Sequence, residues 1–195
     1  DFVEHMFSTS THHNILFFTT RGVVYRLKGY QIPEAARQAK GTAIVNILPL
    51  EAGEKISAMI PIKEFEKGSY LTFVTKYGLI KKTDLLDYSR IRQNGLRAIE
   101  LVEGDELISV SLTDGTEDIM LATHNGLAIR FNEKDVRAMG RTTRGVRGIR
   151  LNSDDFVVSA VVLKENETLL TVTENGYGKK TEPDEYRAQS RGGKG

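Results

Sequence analysis

The sequence predicts an all-β, propeller-like fold of about four four-stranded units. Three observations carry this: an internal repeat near 50 residues, a glycine-centred hairpin signal at one place in every repeat, and almost no helical patterning. The pattern Thr-x-x-Gly-x-x-x-Arg/Lys occurs four times, at Thr19, Gly22 and Arg26, at Thr75, Gly78 and Lys82, at Thr123, Gly126 and Arg130, and at Thr173, Gly176 and Lys180. The four glycines lie 56, 48 and 50 residues apart and anchor the units of a single expected domain over residues 1–195.

The elements follow in order within each unit. In the third copy the apolar runs 119–123 and 127–131 flank Asn125-Gly126, a strong hairpin signal because both residues tolerate the positive φ of a tight turn. Arg21-Gly22, Tyr77-Gly78 and Asn175-Gly176 take the same place elsewhere. A basic loop comes next. Arg37, Lys40 and Gly41 stand 15, 18 and 19 residues after Gly22; Arg141, Arg144 and Gly145 share those offsets from Gly126, and Arg191, Lys194 and Gly195 share them from Gly176. The second copy is shorter and reads Arg90, Arg92, Asn94, Gly95. Two further strands are expected, 146–151 and 156–163 in the third copy, the latter so apolar that it reads as covered on both faces. Between them lies an acidic turn: Glu51 and Glu54, then Glu103, Asp105 and Glu106, then Asp154 and Asp155. Asp1-Phe2-Val3 matches Asp155-Phe156-Val157, so the chain is expected to open on the last strand of a unit and, lacking an initial Met, to be excised from a longer protein. Residues 33–38, with Pro33 at the start, are the one place a helical turn or two is expected.

Composition excludes several chemistries. The chain has no cysteine, which removes disulfides, thiolate nucleophiles and Cys-ligated zinc and fits a reducing compartment. It carries no leader pattern and no apolar run of membrane-spanning length. Net charge is only +1, so total charge does not argue for a polyanionic partner. The distribution of charge does. Cations end the second strand of each unit (Arg26 and Lys28; Lys81 and Lys82; Arg130; Lys179 and Lys180) and fill the loop after it, while acids occupy the other turn. Arg137, Arg141, Arg144, Arg147 and Arg150 follow one another without an intervening acid, and Gly140, Gly145 and Gly148 would admit an anion close to the backbone. Cations gathered at one phase of a repeat suit the phosphates of a long duplex, bound without reading its sequence.

No catalytic constellation emerges. His12 and His13 are adjacent and would face opposite sides of a strand, a poor metal site. Residues 176–181 lack the glycine pattern of a phosphate loop and read as a hairpin, and no Gly-x-Ser-x-Gly elbow is present. The acidic pairs recur in every unit, which suits turns better than a unique acid and base, and the four threonines read as turn-builders.

The final heptad, Gln189-Ser190-Arg191-Gly192-Gly193-Lys194-Gly195, resembles the glycine- and base-rich box of the C-terminal domain of DNA gyrase A. The runs 173–181, with Tyr186, and Arg26-Leu27-Lys28, Gly41 to Asn46 and Met139 to Ile149 resemble the same family, so the likeness covers essentially the whole chain. The resemblance implies a β-pinwheel, a propeller variant with strands exchanged between blades, six-bladed in the family and incomplete here. It implies non-sequence-specific binding, bending and wrapping of double-stranded DNA in support of ATP-dependent negative supercoiling by a type IIA topoisomerase. The implied partners are the rest of gyrase A and the gyrase B protein in an A2B2 holoenzyme; no membrane is involved and the location is the bacterial cytoplasm, on the nucleoid. ATP and Mg belong to other parts of that enzyme, leaving no cofactor, metal or catalytic residue expected in this chain. The DNA-binding candidates are Arg26, Lys28, Arg37, Lys40, Lys81, Lys82, Arg90, Arg92, Arg130, Arg137, Arg141, Arg144, Arg147, Lys179, Lys180, Arg191 and Lys194. The alternatives are the equivalent domain of topoisomerase IV and a protein-interaction propeller.

Overall fold

A computed structural model describes residues 3–195 and arranges them in four small antiparallel sheets, one for each repeat. The strands are β1 (Asn14–Thr19), β2 (Val23–Lys28), β3 (Ile56–Ile62), β4 (Tyr70–Thr75), β5 (Leu79–Asp84), β6 (Leu96–Arg97), β7 (Leu107–Thr113), β8 (Asp118–Thr123), β9 (Ala128–Asn132), β10 (Val146–Arg147), β11 (Val157–Leu163), β12 (Leu169–Val172) and β13 (Gly178–Thr181). The first sheet runs β3-β1-β2-β6, the second β10-β5-β4-β7, the third β11-β8-β9 and the fourth β12-β13. The all-β architecture agrees with the sequence reading. The helical turn expected at 33–38 does not form; that segment is exposed coil with a turn at Arg37 and Gln38, since nothing packs on it to offset the cost of nucleating a helix. Asp1 and Phe2, part of the expected opening strand, lie outside the described residues, and Val3 belongs to no strand.

Each unit begins at its Thr-x-x-Gly hairpin. The threonine hydroxyl accepts the amide four residues on, Val23 at 3.4 Å, Leu79 at 3.2 Å, Leu127 at 3.1 Å and Tyr177 at 3.2 Å, so the turn-building reading describes all four copies. The hairpin differs from the expected two-residue turn. Gly126 alone takes a positive φ, of 85°, and Asn125 does not, because the loop is three residues long with glycine in its left-handed position.

The short third strand leaves its own unit. β6 pairs with β2 of the unit before it (Val24↔Leu96), and β10 pairs with β5 in the same way (Val146↔Ile80). This is the strand exchange that the resemblance implied. Gly145, just ahead of β10, has φ +92 and a Cβ there would stand 2.5 Å from the Ile80 carbonyl oxygen, so the crossing requires glycine.

Adjacent sheets bury their faces on each other like blades. Phe18, Phe73 and Tyr88 centre the seam between the first two units, with the Phe18 and Phe73 rings edge-on at 5.6 Å. Ile80, Leu121, Ile129 and Phe131 fill the next seam. β11, expected to be covered on both faces, is buried at Val157 but exposed at Val158 and Ser159 and half-buried beyond. Besides pairing with β8, it packs against β7 of the second unit, where Ser109 Oγ donates to the Ala160 carbonyl. Among the described residues no helix is long and apolar enough to cross a membrane.

Candidate nucleic-acid interface

The exchange of strands creates a cleft where the first unit meets the second. Arg26 at the end of β2, Arg90 and Arg92 in the loop after residues 85–88, Arg97 on β6, and Arg141 from the third unit line a groove of about 720 Å³. No carboxylate is among its lining residues, the rest being Ser89, Ile91, Asn94, Gly95 and Leu96. Five arginines thus line one groove without a carboxylate among them. Each is permanently charged and offers donors in a planar fork suited to phosphate oxygens. Arg26 keeps a light hold on the far wall through the Ser89 carbonyl at 3.4 Å and stays exposed.

The sequence-predicted cations divide by surroundings. Arg37, Lys40, Arg137, Arg144, Arg147, Lys179, Lys180 and Lys194 are exposed, as are Arg90 and Arg92. Arg144 faces Glu100 at 3.3 Å across an open surface, a pairing worth little. Lys28 is half-buried, its ammonium on the His12 carbonyl. Lys81 and Lys82 are buried and leave the set of phosphate contacts. Lys81 Nζ donates to the carbonyls of Ala98 (2.6 Å) and Arg141 (2.5 Å) and lies 4.8 Å above the Phe73 ring. Lys82 Nζ donates to the Glu133 carbonyl at 2.9 Å and sits 3.6 Å from the Glu133 carboxylate. Arg130 is also engaged within the protein: Nε and Nη2 bind Asp118 at 2.8 Å, and Nη1 binds the Pro183 carbonyl at 2.6 Å. Arg26, Lys82 and Arg130, equivalent in the repeat, thus each reach the short 3-10 turn of the following unit or the residue just past it.

Two further expectations change. Gln189 to Gly195 runs beside β10 and β9 as a strap: the Gln189 amide donates to the Arg130 carbonyl, the Gly192 amide to Gly148, and Arg191 Nη1 to the Arg147 carbonyl at 2.6 Å. His12 and His13 lie in the turn before β1, where His13 Nδ1 meets the Thr9 hydroxyl at 3.1 Å. The sequence reading missed Arg97 as a groove residue. The signal existed, since Arg97 follows Gly95 as Arg147 follows Gly145. The acidic turns have their own work: Asp105 Oδ1 accepts the Tyr77 amide and Asp155 Oδ1 the Asn125 amide, each fastening the hairpin of its own unit.

Among the described residues one carboxylate group, Asp114, Glu117 and Glu133, has oxygens within 4.8 Å of one another. Glu133 is already satisfied by the Thr113 hydroxyl, the Glu117 amide and Lys82. Burial, then the Asp114 charge, pushes Glu117 above the usual carboxylate range, while hydrogen bonds from Thr116 hold Asp114 below it. The cluster fits a buried structural pair, Lys82 with Glu133, with the half-buried Glu117 and the exposed Asp114 beside it.

Comparison with known proteins matches this architecture. The sequence model of the DNA gyrase C-terminal domain, beta-propeller, matches residues 13–63, 69–114, 117–164 and 167–195, which are the four units found above. The DNA gyrase A protein of Clostridium acetobutylicum is 63% identical over all 195 residues, and that of Halalkalibacterium halodurans is 56% identical over 146 residues, 75% of the chain. The chain spans 24% and 18% of those two proteins. Among solved structures, the C-terminal domain of DNA topoisomerase IV superposes with a TM-score of 0.86 at 34% identity, covering 95% of this chain and 58% of the other. The DNA gyrase A C-terminal domain superposes with a TM-score of 0.79 at 29% identity, covering 96% and 60%. The chain belongs to the DNA gyrase A C-terminal domain family.

Proposed function

We propose that the chain binds and bends double-stranded DNA along its basic outer edge, as the non-catalytic wrapping module of a gyrase. The observation that carries this is the groove of five arginines without a carboxylate at the junction of the first two units. The exposed guanidinium groups of Arg26, Arg90, Arg92 and Arg97 neutralise phosphates and release counterions, which supplies affinity on any sequence. Arg97 and Arg147 occupy the same place on successive exchanged strands and are both exposed, so a duplex following the edge meets a cation at each unit. Following a curved edge bends the duplex, at a cost of a few kcal/mol that the added contacts offset. In the holoenzyme the bent segment would be presented to the cleavage and ATP-driven parts carried by the rest of gyrase A and by gyrase B.

Fluorescence anisotropy of a labelled duplex of several tens of base pairs, titrated across a salt series, tests this. Steep loss of affinity with salt on unrelated sequences is expected. Reversing Arg90, Arg92 and Arg97 to Glu should then weaken all sequences alike and lower the salt slope by about three. Binding that is absent at low salt, or confined to one sequence, overturns the reading.

A further inference from the structure

The recurring loop arginines do not all face outward, and their targets repeat. Arg141 Nη1 donates to the main-chain carbonyl of Arg97 at 2.7 Å; Arg191 Nη1 donates to the main-chain carbonyl of Arg147 at 2.6 Å. Donor and acceptor are 44 residues apart in both cases. The acceptor is each time the second residue of an exchanged strand, and that residue's own side chain is exposed. Backbone pairing runs alongside: the Glu100 amide donates to the Thr143 carbonyl at 3.1 Å and the Arg150 amide to the Gly193 carbonyl at 2.7 Å. Three consecutive units are therefore stitched at one point. One accepts the strand, the next donates it, and the third lays a loop over it and grips its carbonyl.

The two-residue strands need such a grip. β6 holds β2 through only two residue pairs, and β10 holds β5 through two. A strand that short is held by its surroundings rather than by its ladder. The clasping arginines are themselves partly buried, and Arg191 is fixed further by its Nε on the Asp135 carbonyl at 3.0 Å. The carbonyl of Arg141 in turn receives the buried Lys81 ammonium.

We infer that Arg141 and Arg191 are positioning residues: each holds the preceding unit's exchanged strand so that Arg97 or Arg147 presents its guanidinium to a phosphate. This rests on the DNA-binding reading above. The consequence is a division of labour among residues that look equivalent in sequence. Arg97 and Arg147 touch the duplex, while Arg141 and Arg191 set where they stand and tie the cation of one unit to the fold of the next.

A double-mutant cycle on the full 195-residue chain tests it, with duplex affinity and salt slope as readouts and circular dichroism confirming that each variant is folded. Arg97→Gln should raise Kd about five-fold at low salt and lower the salt slope by about one. Arg141→Gln should weaken binding to a similar degree or less. The variant carrying both should match Arg97→Gln within about two-fold, because the effect of Arg141 is routed through Arg97. Multiplicative losses with a slope lowered by about two would make Arg141 an independent phosphate contact and overturn the inference. So would unchanged binding by a folded Arg141→Gln, which would leave Arg141 with packing alone. Should Arg141→Gln not fold, the cycle on Arg147 and Arg191 decides in the same terms. Failure of the wild-type chain to bind with a steep salt dependence would instead overturn the DNA-binding reading itself, so the two failures are distinguishable.

Discussion

The second and fourth units carry the same run, Thr-x-x-Gly followed by paired lysines, yet bury it to opposite degrees. Lys81 and Lys82 are 0% and 6% exposed, whereas Lys179 and Lys180 are open to solvent. The difference is the neighbour. The third unit supplies β10 along β5, the Arg141 carbonyl above Lys81, and Glu133 opposite Lys82. The fourth sheet holds β12 and β13, and its two lysines are exposed. A repeated cation is therefore a fastening to the next unit wherever that unit packs against it.

The largest test of this contrast removes the acid that Lys82 faces. Glu133→Ala leaves a buried ammonium without its carboxylate and strands the Thr113 hydroxyl and the Glu117 amide. Loss of one partner of a buried pair costs about 3–5 kcal/mol. Lys180→Ala, at the equivalent phase of the fourth unit, should change stability by less than about 0.5 kcal/mol. Urea unfolding of both variants measures the gap; equal effects would break the comparison.

How far the sequence could be read follows the same line. The glycine period, the hairpins and the threonine turns are local, and each was legible because it depends on residues within one repeat. Burial of Lys81 and Lys82 was not legible, because it depends on segments 17 to 60 residues away. The exchange of strands was visible only through resemblance: a strand was read at 146–151, of which the structure keeps Val146-Arg147 as β10, and nothing in those residues names the partner strand. Segregation of charge was read correctly as a phase of the repeat. It was read too simply as surface, since Arg130, Arg141 and Arg191 at that phase spend hydrogen bonds on neighbouring backbone.

The hairpin glycines sharpen the contrast with a smaller effect. Gly22 and Gly126 have nearly the same positive φ, +76 and +85, so an alanine is strained at either, by about 1–2 kcal/mol. Only Gly22 lies against an exchanged strand segment: a Cβ there would meet Ile99 Cγ2 at 2.8 Å and the Ile99 carbonyl oxygen at 3.0 Å, while at Gly126 it would meet nothing within 4 Å. Gly22→Ala should therefore cost about 1–2 kcal/mol more than Gly126→Ala, the cost of overpacking a close contact. A denaturant midpoint displaced equally by the two substitutions would mean that the exchanged segment yields freely.

A third effect is read by pH. Burial, then the Arg141 guanidinium, pushes Lys81 down to about 7, with Asp87 opposing. In the unfolded chain the same lysine keeps its proton up to its ordinary value of 10.5. Between about pH 7 and 10 the unfolded state thus binds the extra proton, and stability rises with pH. Tyr88 sets the upper limit: burial raises its pKa above 10.0, so beyond that the unfolded tyrosine ionises first and stability falls again. The Lys81 contribution amounts to about 2 kcal/mol from pH 7 to 9. Lys81→Met should abolish that increment, and Lys179→Met, at an exposed position, should leave it in place. Urea midpoints for the three proteins at several pH values decide the matter. An increment that survives in Lys81→Met would mean that the buried ammonium does not carry it and that the seam between the second and third units admits water.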